Sequence, residues 1–207
     1  MQRAGPRERS VFINVPFDAE YEPLYVALIA GLIGFGFIPR CVLEIPSTGQ
    51  AVRLDRILRC IRGCRFSVHD LSRAGADPHS RCARFNMPFE LGLAVAVRLV
   101  DPDHEWVLFE TRPFRLQRSL SDLNGFDPHI HGGTQAGVLQ ALRNAFQRTQ
   151  RRPNLEDLRS LLREVAGMAA DLRTQSRSKT LFDATSFREL VRATNLILEE
   201  HHRPRWR

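Results

Sequence analysis

Two carboxylates stand where the sequence pattern could put them to chemical use. Glu90 lies in Arg84-Phe85-Asn86-Met87-Pro88-Phe89-Glu90-Leu91-Gly92, ahead of the apolar run Leu93-Ala94-Val95-Ala96-Val97. Asn86 reads as the N-cap of a helix, and Pro88 is tolerated in its first turn. A carboxylate in that turn is favoured in its ionised form by the helix dipole. Gly92, just beyond it, would let a ligand or a strand approach. The alternative is an exposed Glu90 that only complements the dipole. Asp70 ends the β-prone run Phe66-Ser67-Val68-His69-Asp70 and is expected to face the same crevice, unless it is merely a loop or cap residue. Two carboxylates at one crevice suit sugar chemistry. One contacts ribose hydroxyls while the other stabilises, or attacks, an oxocarbenium-like anomeric carbon.

A third segment, Asn14-Val15-Pro16-Phe17-Asp18, ends an apolar run and can lay an amide and backbone N–H groups against a ligand. Asp18 is equally well read as the cap of the following helix. Tyr21 is read either as a cover for a base or as the first core residue. The chain contains no G-x-G-x-x-G, Walker lysine or G-x-S-x-G elbow, which argues against dinucleotide-fingerprint, P-loop and serine-hydrolase chemistry.

The elements that must position these residues alternate. Val11–Val15, Phe37–Leu43, Arg65–Leu71 and Glu105–Phe109 read as strands, with an extended piece at Phe126–Ile130. Pro39 marks the second strand as an edge or an irregular start. Between them, Tyr21–Ile33, Val52–Ile61, Asn86–Leu99 and Phe114–Leu123 carry helical spacing. In the first of these, Leu24, Ala27, Leu28 and Leu32 share a face. This order predicts an α/β fold, a flavodoxin-like parallel sheet of about five strands flanked by helices. Right-handed crossovers then put the rim at Asn14–Asp18, Glu44–Gly49, Asp70–Asn86 and Glu110–Arg115. Residues 1–132 form this α/β unit.

Residues 133–207 read as a helical extension over Thr134–Arg148, Asn154–Leu172 and, behind a capping box at Ser186, as far as Leu198. Their apolar stripes, such as Leu155, Leu158, Leu161, Leu162 and Val165, need cover. They must pack on the α/β unit, on each other or on another protomer; a homo-oligomer with these helices at or near the interface is expected, and 133–207 is also a candidate surface for a protein partner. Thr174–Ser178 reads as a hinge and His201–Arg207 as a frayed tail.

Charge and cysteines bound the setting. The net charge is +7, with 14 Lys/Arg against 8 Asp/Glu in residues 133–207 and 16 against 15 before them. A solvated basic face on the extension explains this balance, and nucleic acid is not the expected partner. Cys41, Cys60, Cys64 and Cys82 lack zinc or redox spacing and read as free thiols. The N-terminus has no signal-peptide core, and the apolar run from Leu24 to Ile38 is too short for a membrane span. A soluble cytoplasmic protein without metal is expected.

The order Phe12-Ile13-Asn14-Val15-Pro16-Phe17-Asp18, then Val68-His69-Asp70, then Phe89-Glu90-Leu91-Gly92 resembles the nucleoside 2-deoxyribosyltransferase-like superfamily. It is also similar to bacterial TIR-like proteins of phage-defence systems. The resemblance covers roughly residues 10–130. It implies that Glu90 is the nucleophile, that Asp70 contacts the sugar, and that Pro16 and Phe17 form the base-pocket turn. Asn14, Asp18, Asn86 and Phe89 complete the expected substrate contacts. The implied activity is N-glycosidic cleavage of a nucleotide, NAD first, with NAD as substrate and no cofactor. A non-catalytic TIR-like sensing or assembly module and a deoxyribosyltransferase are the alternatives. The sequence departs from the transferase pattern before the glutamate, where Phe85-Asn86-Met87-Pro88 replaces a small polar run. It departs from the TIR pattern in lacking a tryptophan there.

Overall fold

The computed structural model of the chain describes residues 5–44, 53–75, 83–147, 149, 151–175 and 179–202. The rim residues 45–49 and 76–82 with Cys82, the start of the second predicted helix at Val52, the hinge residues 176–178 and the tail 203–207 lie outside the described residues.

Five strands, β1 (Ser10–Asn14), β2 (Ile38–Arg40), β3 (Phe66–Asp70), β4 (Glu105–Glu110) and β5 (His129–Ile130), form one all-parallel sheet in the order β2-β1-β3-β4-β5. This is the flavodoxin-like order. β2 is an edge strand, as Pro39 requires, because only one side of it needs ladder donors. It is shorter than its apolar run. Residues 42–44 turn into a 3-10 helix, where the Glu44 carboxylate accepts from the Cys41 N–H at 3.0 Å and from Arg40 at 2.6 Å.

A short α1 (Pro6–Arg9) leads into β1. Right-handed crossovers set the layers. The chain moves from β1 to β2 in one direction and from β2 through β5 in the other. α2 (Glu22–Gly34) therefore lies on one face, and α3 (Arg53–Arg62), α4 (Asn86–Val100) and α5 (Arg115–Ser119) on the other. The predicted helix over Phe114–Leu123 is broken into α5 and a 3-10 turn, Ser121–Leu123, because Leu120 between them has non-helical φ −137° and ψ 68°.

α6 (Gln135–Ala145), α7 (Leu155–Gln175) and α8 (Ala184–Ile197) pack on α2. α2 is consequently buried along nearly its whole surface rather than on the single face the spacing suggests. Its run from Leu24 to Ile33 is apolar all round, which is what a fully enclosed helix needs. At the crossing with α6, a Cβ on Gly31 would stand 2.4 Å from Leu142 Cδ1, so the close approach depends on glycine. One core runs from Val11 and Phe12 through α2 to Leu161, Val165, Phe187 and Leu190. The stripes of α7 and α8 are thus covered within the chain.

Two caps confirm or adjust the helix starts. Asn154 Oδ1 accepts from the Asp157 N–H at 2.9 Å, as expected. α8 starts earlier than the Ser186 box: Asp183 is the N-cap, accepting from the Thr185 and Ser186 N–H groups, and Ser186 Oγ donates back to it. Among the described residues, no helix is long and apolar enough to cross a membrane. Cys41, Cys60 and Cys64 are free and buried.

Candidate active site

Asn14 and His69 are register partners at the carboxyl ends of β1 and β3, the point where the crossovers diverge. Ligands bind outside such switch points in open parallel sheets. Both side chains turn to the face that carries α4. Asn14 Nδ2 donates to the Met87 carbonyl at 2.9 Å and lies 3.0 Å from His69 Nδ1.

Asp70 follows His69 along β3, so strand alternation sends it to the opposite face. There its Oδ2 accepts from Tyr21 Oη, and its Oδ1 accepts from the Ser72 N–H at 2.9 Å. His131 Nε2 lies 3.2 Å from Oδ2, off the axis of a well-formed hydrogen bond. His131 Nδ1 accepts from the Gly133 N–H, which leaves the ring hydrogen on the nitrogen that faces Asp70. Burial alone would raise the Asp70 carboxyl, but His131, Ser72 and Tyr21 outweigh it and hold the group below its ordinary value. Asp70 therefore does not share a crevice with Glu90. Tyr21 is likewise a buried core residue that ties the start of α2 to β3, not a cover for a base.

Glu90 stands on the α4 face. The helix begins at Asn86 itself, with Phe85 as an uncapped N-cap residue, so Glu90 is the fifth helical residue and not part of the first turn. The dipole that would favour its ionised form has faded there. Burial dominates instead: Glu90 is 5% exposed, and its carboxyl is pushed up to about 7, with the Arg53 charge opposing the rise.

Glu90 lines a cavity of about 300 Å³. Asn14, Pro16 and Phe17 form one wall, and Met87 and Asn86 belong to the α4 side. Phe17 is braced from behind by Phe182, whose ring centroid is 5.2 Å away, so the segment before α8 supports this wall. Arg53, at the start of α3, and Arg84, just ahead of α4, add positive charge to the lining. No motif or spacing in the sequence marks either arginine or His69.

Three expected features lie elsewhere. Asp18 is outside the lining. Its Oδ1 accepts from the Tyr21 N–H at 3.0 Å, and its Oδ2 pairs with Arg84 at 2.5 Å and Arg73 at 2.9 Å. Phe89 is 56% exposed and turned outward. Gly92 is exposed too, and a Cβ there would meet nothing within 4 Å, so it opens no path for a ligand.

The buried carboxylates differ in one respect. Glu22 accepts from the Leu181 N–H at 2.7 Å, and Glu110 from the Thr111 N–H at 2.7 Å and from Arg115 at 3.2 Å. Asp70 has the partners given above. Among the described residues, no hydrogen bond or ion pair reaches the Glu90 carboxylate. A buried, unpaired carboxyl that titrates near neutrality can take a proton, attack an electrophile or stabilise a developing cation. No cluster of His, Cys, Asp and Glu among the described residues could hold a metal ion.

Neither of two comparisons with known proteins yields a relative: no protein-family model matches the chain, and no curated protein is similar to it.

Proposed function

We propose that the protein cleaves the N-glycosidic bond of a nucleotide, with NAD as the first candidate, and that Glu90 meets the anomeric carbon. The observation that carries this reading is the unpartnered Glu90 carboxylate in a cavity at the switch point of the sheet. As the bond from C1′ to the base breaks, its electron pair leaves with the base and positive charge grows on the ribose. A largely desolvated carboxylate with no hydrogen-bond partner among the described residues gains most from that charge. Glu90 stabilises the oxocarbenium ion or closes on it as a ribosyl ester. Water then adds at C1′, breaking the C1′–oxygen bond to Glu90 where the ester has formed, and gives up one proton to the freed Glu90 carboxylate.

NAD leads the candidates for a chemical reason. Nicotinamide departs from its pyridinium form as a neutral molecule and needs no general acid. Among the described residues the cavity offers one carboxylate, and Asp70 is on the other face of the sheet. A base that must be protonated on leaving would call for a second acidic group. The volume is at the lower end of ligand pockets, which run to ~300–1,000 Å³. It suits the nicotinamide riboside portion, and Arg53 in the lining supplies a cation for a phosphate beside it.

Incubating the protein with NAD, with nucleoside monophosphates and with deoxynucleosides, followed by chromatography, tests the reading. Free nicotinamide with ADP-ribose is the expected result. Base exchange only when a second base is added would make it a transferase. Absence of base release from every compound would leave the sensing or assembly module.

A further inference from the structure

The orientation of the Asn14 amide is over-determined. Its nitrogen carries two hydrogens and no available lone pair. One hydrogen goes to the Met87 carbonyl at 2.9 Å and the other points at His69 Nδ1, 3.0 Å away. The flipped amide would set Oδ1 against the Met87 carbonyl, acceptor against acceptor. His69 Nδ1 is therefore the accepting nitrogen, and the ring hydrogen belongs on Nε2.

The surroundings of the ring agree. His69 is fully buried, and its contacts include Phe12 edge-on. Burial, and secondarily the charge of His104, push the imidazole down to about 3, so the ring is neutral. Its Nε2 has no hydrogen-bond partner among the described residues. An orphaned buried donor is costly, and a leucine at this position would avoid the cost. The fold carries that cost and in return has an acceptor at Nδ1.

What remains of Asn14 is Oδ1, which has no partner among the described residues, on a side chain that lines the cavity. We propose that His69 is a positioning residue: it fixes the Asn14 amide so that Oδ1 is offered to the cavity as an acceptor, and the site takes a ligand that donates a hydrogen bond there. On the glycosidic reading above, on which this last step rests, the donor is a ribose hydroxyl. Asn14 then does part of the sugar recognition expected of Asp70.

The test has two arms. The first needs no substrate. Nitrogen-15 NMR of the full-length protein labelled at histidine should show His69 as the Nε2–H tautomer at neutral pH. A protonated Nδ1, as the other tautomer or as an imidazolium, overturns the proposal. The second arm measures nicotinamide release from NAD by the His69→Leu and His69→Asn variants. His69→Leu removes one of the two anchors of the Asn14 amide and leaves it held by the Met87 carbonyl alone. It should raise KM about five- to ten-fold, the worth of one neutral hydrogen bond, with kcat far less affected. In His69→Asn the side-chain oxygen stands where Nδ1 stood, and most of the lost KM should return. An unchanged KM in His69→Leu, or equal loss in both variants, overturns the positioning role. If the wild-type protein releases no base from NAD, or a variant does not fold, the tautomer measurement still decides the orientation of Asn14.

Discussion

Glu90→Gln keeps the size of the side chain and removes its charge, and its effect on stability is as informative as its effect on activity. The folded carboxyl titrates at about 7 against an ordinary 4.5. Between those values the folded protein binds the proton more tightly than the unfolded chain does. Wild-type stability must therefore fall as pH rises through this window and level off above it. At about 1.4 kcal/mol per pH unit, the fall is roughly 2–3 kcal/mol once the access of solvent through the cavity is allowed for. For a chain of this size each kcal/mol moves Tm by about 2–4 °C. The Tm of the glutamine variant should thus gain on wild type by roughly 5–10 °C between about pH 5 and about pH 8. Calorimetry of both proteins across that range measures it, and base release by the variant should be lost at every pH. Parallel Tm profiles would refute the claim that Glu90 is a desolvated, unpaired carboxylate.

Four further outcomes follow from the same geometry. At limiting NAD the initial rate should rise with pH through about 7 and then level, because the ionised Glu90 is the working form; a flat initial-rate profile contradicts this. Asp70 is held below its ordinary value, so its stabilisation is present above about pH 4 and lost in acid. Asp70→Asn should therefore cost about 2–3 kcal/mol at neutral pH while the folded fraction keeps its activity, as read by urea titration and a parallel rate assay. Gly92→Ala should raise stability by about 0.5–1 kcal/mol in urea titration and leave base release unchanged, since its Cβ enters open space on an exposed helix turn. Arg53→Gln should raise KM for NAD about ten-fold and weaken its salt dependence, checked by initial rates over an ionic-strength series.

Period and punctuation were sufficient for the layout of the sheet. Val11–Val15 is apolar enough for an inner parallel strand, Pro39 forces β2 to the edge, and Asn154 caps the helix it precedes. The side of the sheet that Asp70 faces was not legible. His69 and Asp70 are both polar and both end β3, and a shift of one residue exchanges which of them meets α4. Glu90 was legible as a candidate, and it does line the cavity, but its electrostatics were not legible. Taking Asn86 as the cap moved the glutamate into the first turn, whereas the helix starts on Asn86 and burial takes over from the dipole. Arg53 and Arg84 offered no contrast in a chain with a single lysine and arginines throughout. The enclosure of α2 was half-visible: its unbroken apolar run announces burial, but only the packing of α6, α7 and α8 shows by what.

The central claim, that Glu90 faces the anomeric carbon of a bound nucleotide, is tested most directly by a crystal structure of the Glu90→Gln protein with NAD. The account predicts C1′ of the nicotinamide riboside within about 3–3.5 Å of the side chain at position 90, a near-attack distance, with a ribose hydroxyl donating to Asn14 Oδ1. A nicotinamide riboside bound outside this cavity, or one whose C1′ faces away from position 90, would contradict it.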